Sequence, residues 1–224
     1  MDIVEKNIKK LFESKDGSTA CNAMDSLKKN ASNDNRKQII EALMKYSIET
    51  KIDHLKSQTI IWINNLIKKG EKQYADYYIN KIESKNMEAA YYAIEGYCII
   101  MQKDAYEYLV SVLLSKKLNM ECSALIVCQL SYLSNNPFDI NTPYNKSQWN
   151  EEHLKLDEIN AWSDAGYPDG NGYEEPEIHV CLLKPTTLEE KVYARLDAKL
   201  QKKRKKIVIR LILLIGLQRL MIRT

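Results

Sequence analysis

The chain has 224 residues, 45% hydrophobic and 28% charged, which is enough for one sizeable core plus a tail. The formal charge of +3 is local: 199–224 carries nine Lys and Arg and no acid, which leaves 1–198 at −6. A body of that sign argues against phosphate-backbone binding, and five cysteines without a C-x-x-C pair argue against a zinc ribbon or a disulfide framework.

The N-terminal run MDIVEKNIKK has no apolar signal core, so a reduced, cytoplasmic setting is expected. Apolar residues then recur at helical spacing through 136 residues that contain no proline. The first helix, about 2–14, carries Ile3, Ile8, Leu11 and Phe12 near one face. The second, about 19–29, carries Ala20, Ala23, Met24 and Leu27, and the third, about 35–48, Ile39, Ile40, Leu43 and Met44. The fourth, about 54–68, runs from Leu55 to Ile67, with Gly70 placed as its stop. Four more are expected at about 72–83, 87–101, 104–115 and 120–134. Cys98, Cys122 and Cys128 fall in these apolar stretches, where buried, inert thiols are expected.

A spacing emerges along these helices. Asn86-Met87-Glu88 and Asn119-Met120-Glu121 open two apolar helices 33 residues apart, and another step back reaches Asp53-His54-Leu55. Asn and Asp are good N-caps, and a period of 30–40 residues with two helices per unit marks an α-solenoid. The expected fold is all-α, a HEAT-like α-solenoid of about four helix pairs over 1–136, with a non-repetitive bundle as the alternative. Eight tyrosines crowd 72–108, and most are expected to pack between helix pairs with their hydroxyls toward solvent.

All five prolines lie between Pro137 and Pro185. This extension, 137–198, is acidic and aromatic: 137–179 holds ten acids against Lys146 and Lys155. Leu154, Leu156, Ile159 and Trp162 predict one short amphipathic helix, about 150–164, closed by Gly166. Tyr167-Pro168-Asp169-Gly170 reads as a turn in which proline fixes φ, aspartate bonds back and glycine takes positive φ. A last helix is predicted at about 187–205. Two roles suit the extension: a cap in which Phe138, Trp149, Leu156 and Trp162 cover the open end of the stack, and an acidic lip that meets a basic protein. The candidate protein-binding residues are Trp149, Asp157, Glu158, Trp162, Tyr167, Asp169, Tyr173, Glu174 and Glu175.

The run from Asn136 through Pro137-Phe138-Asp139, Trp149, Leu156-Asp157-Glu158-Ile159, Ala161-Trp162, Gly166-Tyr167-Pro168-Asp169-Gly170 and Tyr173 to Pro176 resembles the C-terminal part of a group of uncharacterised bacterial HEAT-repeat proteins. Thr187, Glu190 and Arg195-Leu196-Asp197 fit the same pattern. The resemblance implies an interaction protein with no catalytic motif to carry over, and some members of the group look like immunity proteins that neutralise a toxin.

The tail, 199–224, departs from that pattern. Basic Lys202–Lys206 precedes an apolar stretch whose longest uncharged run, Leu211–Gln218, is too short to span a bilayer. It reads either as a surface-lying amphipathic anchor or as the product of a shifted reading frame near Lys205-Lys206. No Gly-rich phosphate loop, Walker lysine, H-E-x-x-H or G-x-S-x-G is present, so no cofactor, metal or catalytic residue is expected. The favoured function is a non-catalytic scaffold, an immunity or regulatory protein that binds a basic protein. A membrane-surface adaptor held by 199–224 and a nucleic-acid-binding HEAT-like protein are the alternatives.

Overall fold

The computed structural model describes residues 2–172, which lie within one unit, Met1–Glu175. The predicted helix at about 187–205 and the tail 199–224 lie outside the described residues. Nine α-helices occur among those described: α1 Ile3–Glu13, α2 Gly17–Lys29, α3 Arg36–Glu49, α4 Asp53–Asn64, α5 Ala75–Ile82, α6 Met87–Met101, α7 Tyr106–Leu114, α8 Met120–Ser134 and α9 Leu156–Asp164. No strand occurs among the described residues, so this part of the chain is all-α.

Side-chain caps set four of the nine helix starts, those of α1, α2, α6 and α8. Asp2 and Glu5 form a reciprocal capping box at α1, and the Asp16 carboxylate accepts from both the Thr19 amide and the Thr19 hydroxyl at α2, each at 2.8 Å. Asn86 accepts from the Ala89 amide at 3.1 Å, and Asn119 from the Cys122 amide at 2.9 Å. The expected third cap does not form. Asp53 is the first residue inside α4, its carboxylate pairs with Lys56 Nζ at 2.8 Å, and Ile52 occupies the cap position.

Successive helices pack as neighbours: α1 with α2, α3 with α4, α5 with α6 and α7 with α8. The even-numbered helices also lie side by side, α2 on α4, α4 on α6 and α6 on α8. Side-chain bonds tie adjacent pairs together. Trp62 donates to Asp25, Ser57 to Glu88, Asn64 to the Tyr92 carbonyl, and the Cys122 thiol to the Met87 carbonyl. These partners are 28 to 37 residues apart, which brackets the 33-residue spacing of the Asn-Met-Glu tripeptides. Arg36 spans the same interval, gripping the Glu71 carboxylate with both terminal nitrogens and the Leu66 carbonyl at 2.8 Å.

The carbonyls at and just beyond the ends of even-numbered helices have no partner within their own helix. Neighbours supply one: Arg36 for Leu66, the Gly70 amide for Ile100 and the Gly170 amide for Ser134, at 2.8, 3.0 and 2.8 Å. Gly70 therefore has a different role from a stop. Helix α4 ends at Asn64, short of the expected 68, because 65–67 tighten into a turn that buries Leu66 and Ile67. Gly70, at φ +82°, turns the chain so that its amide reaches the end of α6.

Past α8 the chain departs from paired helices but continues the core. Phe138, Trp149, Leu154, Ile159 and Trp162 are all buried in one cluster with the residues of α6 to α8. The single helix expected at 150–164 is two pieces, a 3-10 turn at Glu151–Leu154 and α9. They break at Lys155, φ +51°, which re-aims the chain so that Leu154 and Ile159 both point inward. Helix α9 lies on α7, while 146–148 and 151–154 lie on α8.

Trp162 is the hub. Its ring meets Phe138, Tyr106 and Tyr167 at centroid distances of 5.3, 5.0 and 5.0 Å, and its indole N–H donates to the Pro168 carbonyl at 2.8 Å. The turn expected at 167–170 does not form there; the chain turns at 165–166. Positive φ falls on Gly166 (+80°) and Tyr167 (+60°), and Asp169 pairs with Lys103 instead of bonding back. Gly170 is needed for close approach: a Cβ there would sit 2.3 Å from the Asn135 carbonyl oxygen.

Two substitutions test this packing. Gly96 lies where α6 crosses α4 and α5, and a Cβ would fall 2.2 Å from the Tyr78 ring and 2.4 Å from Asn64 Oδ1. Gly96→Ala is expected to cost about 1–3 kcal/mol by overpacking. Trp162→Ala is expected to cost about 3–5 kcal/mol through the lost hub. Urea denaturation of both variants checks this; a Trp162→Ala midpoint equal to that of the parent would show that the extension does not share the core's cooperative unit.

Candidate functional site

The extension builds an acidic surface over an aromatic floor. The 3-10 turn puts Glu151 and Glu152 in its first turn, and α9 puts Asp157 and Glu158 in its own. Acids at these places favour the positive helix end, so local structure alone accounts for part of their presence. All four are exposed, and they line one depression of about 420 Å³ with Leu156 and a single cation, Lys155. Two weak pairs reach them, Lys155 to Glu158 and Lys116 to Glu151, each at 3.5 Å. Glu152 and Asp157 have no partner among the described residues.

The sequence-derived candidates divide into three sets. Asp157 and Glu158 lie on this surface. Trp149 and Trp162 are buried to 6% exposure, and their indole N–H groups donate inward to the Pro143 and Pro168 carbonyls. They support the surface from beneath and present no face to a partner. Tyr167 is half-buried against Tyr106 and Trp162, and Asp169 is engaged with Lys103, so both dock the turn. Tyr173, Glu174 and Glu175 lie outside the described residues. The structure adds Glu151 and Glu152, whose place beside Asp157 comes from the kink at Lys155.

A second group of titratable side chains sits where α6, α8 and the 137–149 segment meet. Burial raises the Glu95 carboxyl above its ordinary value, with Lys146 pulling it back. Burial also raises Asp139, opposed chiefly by the Ser131 hydroxyl and then by the Cys128 thiol and Lys146. The Asp139 amide donates to Ser131 Oγ at 3.1 Å, fixing this segment to α8. Burial pushes the thiols of Cys122 and Cys128 up to about 11 and that of Cys98 up to about 12, so all three remain protonated at neutral pH. Among the described residues no three His, Cys, Asp or Glu side chains gather as a metal site, and no helix is long and apolar enough to cross a membrane. His54 lies in the first turn of α4, and His153 Nδ1 accepts from the Asn150 amide at 3.0 Å.

Set against known protein families, curated proteins and solved structures, the chain matches none.

The sign of the Glu95 shift makes a prediction. A carboxyl raised on folding takes up protons as the chain folds, so its cost is present at neutral pH and disappears as pH falls through the raised value toward 4.5. Glu95→Gln is expected to raise the melting temperature at pH 7.5, with the gain shrinking toward pH 4.5. Glu71, lowered chiefly by its hydrogen bond to Arg36, runs the other way: its stabilisation is full above its unfolded value and is lost as pH falls through the lowered one. Calorimetric scans of E95Q and E71Q across that range check both; parallel pH curves for the two variants would refute the assignment.

Proposed function

We propose that this chain is a HEAT-like α-solenoid that works by binding a basic protein through the acidic surface of its C-terminal extension, in the manner of an immunity or regulatory protein. The observation that carries this reading is the placement of Glu151, Glu152, Asp157 and Glu158 around one depression, with Lys155 the one cation that lines it and Lys116 reaching Glu151 at 3.5 Å. Beneath them Leu154, Ile159 and Trp162 are buried, so the acids sit on packed turns and are partly pre-organised. The pairing of successive helices and the cross-ties at sequence separations of 28 to 37 residues support the solenoid part.

Exposed acids of this kind mainly steer encounter, so the association should weaken steeply with salt. A fluorescein-labelled decalysine peptide is the simplest probe. Reversing Glu151, Glu152, Asp157 and Glu158 to lysine is expected to weaken its binding at low salt at least tenfold, by anisotropy. Equal affinity for the parent and the reversed protein would refute the acidic surface as the binding face.

A further inference from the structure

A groove of about 300 Å³ runs between the first turns of α6 and α8, on the side where even-numbered helices lie next to one another. It is lined by Tyr91 and Tyr92, whose rings are perpendicular at 88° with centroids 5.8 Å apart, and by Met87. Glu88 and Glu121 lie at its edges, and no Lys, Arg or His lines it. Glu95, two turns along α6 from Glu88, is close enough to act on both tyrosines, as Glu121 acts on Tyr91 and Glu88 on Tyr92. Glu88 accepts from Ser57 Oγ at 2.5 Å, which fixes its carboxylate while leaving a second oxygen. Glu121 has no hydrogen bond or ion pair among the described residues, and the one cation acting on Glu95 is Lys146.

We infer that this groove receives an arginine side chain of the basic protein partner. The guanidinium would lie between Glu88 and Glu121, with its plane or its stem against a tyrosine ring. The inference rests on the protein-binding reading above and adds a second point of contact, separate from the acidic surface of 151–158. Charge complementarity selects the occupant. The two helix ends contribute about half a positive charge each, against the carboxylates of Glu88 and Glu121, so the field in the groove remains negative. Aromatic walls beside carboxylates suit a planar, weakly hydrated cation better than a compact ammonium ion, because guanidinium gives up less hydration and stacks. An apolar or anionic side chain would leave the carboxylates desolvated without compensation.

The test uses the full chain with ¹³C-labelled tyrosine rings, titrated with N-acetyl-arginine amide and, separately, with N-acetyl-citrulline amide, which keeps the shape and lacks the charge. The arginine derivative is expected to shift the Tyr91 and Tyr92 signals, with Tyr144 unmoved as an exposed reference. The citrulline derivative is expected to shift neither. Glu88→Gln with Glu121→Gln should weaken the response at least fivefold, and an unchanged Tyr78 signal would show that the core is intact. No response at Tyr91 and Tyr92, or equal responses to the two compounds, would overturn the inference. The protein with Glu151, Glu152, Asp157 and Glu158 reversed separates the two readings. It should keep the arginine response while losing decalysine binding, and loss of both would show that the groove has no site of its own. A silent groove with decalysine binding intact would sink the groove alone and leave the acidic surface standing.

Discussion

The central constraint is on α6, which has to bury several sides at once. It packs against α5 in its own pair and against α4 and α8 on its flanks. Most of its inward residues are small or flat, namely Ala89, Ala90, Ala93, Gly96, Tyr97 and Cys98, with Ile94 and Ile100 the two bulkier exceptions. Small side chains let helix axes approach, and Gly96 is the extreme case, its missing Cβ leaving room for the Tyr78 ring. That ring is in turn fixed by its hydroxyl, which donates to Asn64 Oδ1 at 2.8 Å, while Asn64 Nδ2 donates to the Tyr92 carbonyl. One asparagine of α4 thus holds both α5 and α6. The polar groups that this close approach buries are nearly all paired, which is the condition for such packing to be favourable.

The same constraint explains the extension. A stack of helix pairs always ends on an exposed apolar face. Without the 137–172 segment, Tyr106 of α7 would lose the Trp162 and Tyr167 rings that cover it. Helix α9 covers α7 and the 3-10 turns cover α8. The cap is attached by the same kinds of bond that join the pairs. The Gly170 amide satisfies Ser134 as the Gly70 amide satisfies Ile100, and Asp169 meets Lys103 as Asp104 meets Lys72. Exposed ion pairs of this kind contribute roughly 0–1 kcal/mol each, so they set register and the buried aromatic ring cluster supplies most of the stabilisation.

How far the sequence could be read depends on which interactions are local. Helix starts with their own side-chain caps were legible: Asn86 and Asn119 mark α6 and α8 at the residue where each begins. The end of α4 was not, because it is set by burial of Leu66 and Ile67. The break at Lys155 was hidden for a related reason. Apolar spacing through Leu154, Leu156, Ile159 and Trp162 fits one continuous helix, and a left-handed lysine is dictated only by the surface that the two pieces must cover. The turn expected at 167–170 from Pro-Asp-Gly falls earlier, at 165–166, and Gly170 answers a contact 35 residues away instead. For the candidate site, the acids could be read as a charge bias, whereas the inward orientation of Trp149 and Trp162 could not. An aromatic residue in an irregular acidic segment looks the same in sequence whether it faces a partner or the core.

Two acidic regions with different burial have different consequences. Glu151, Glu152, Asp157 and Glu158 stand in water, where each charge is well solvated and its field reaches about 8–10 Å before salt screens it. Such charges cost the fold little and change how often a basic protein arrives, more than how long it stays. Glu95 is different. Its carboxyl is raised by burial, with Lys146 as its compensating cation, so it weakens the folded state at neutral pH. A cation placed near the half-buried tyrosines would be screened less than one at 151–158, and the interaction would therefore be stronger and more demanding of geometry. Arrival and orientation would then be governed by separate surfaces, the first exposed and salt-sensitive, the second narrower and built on the packed face of α6 and α8.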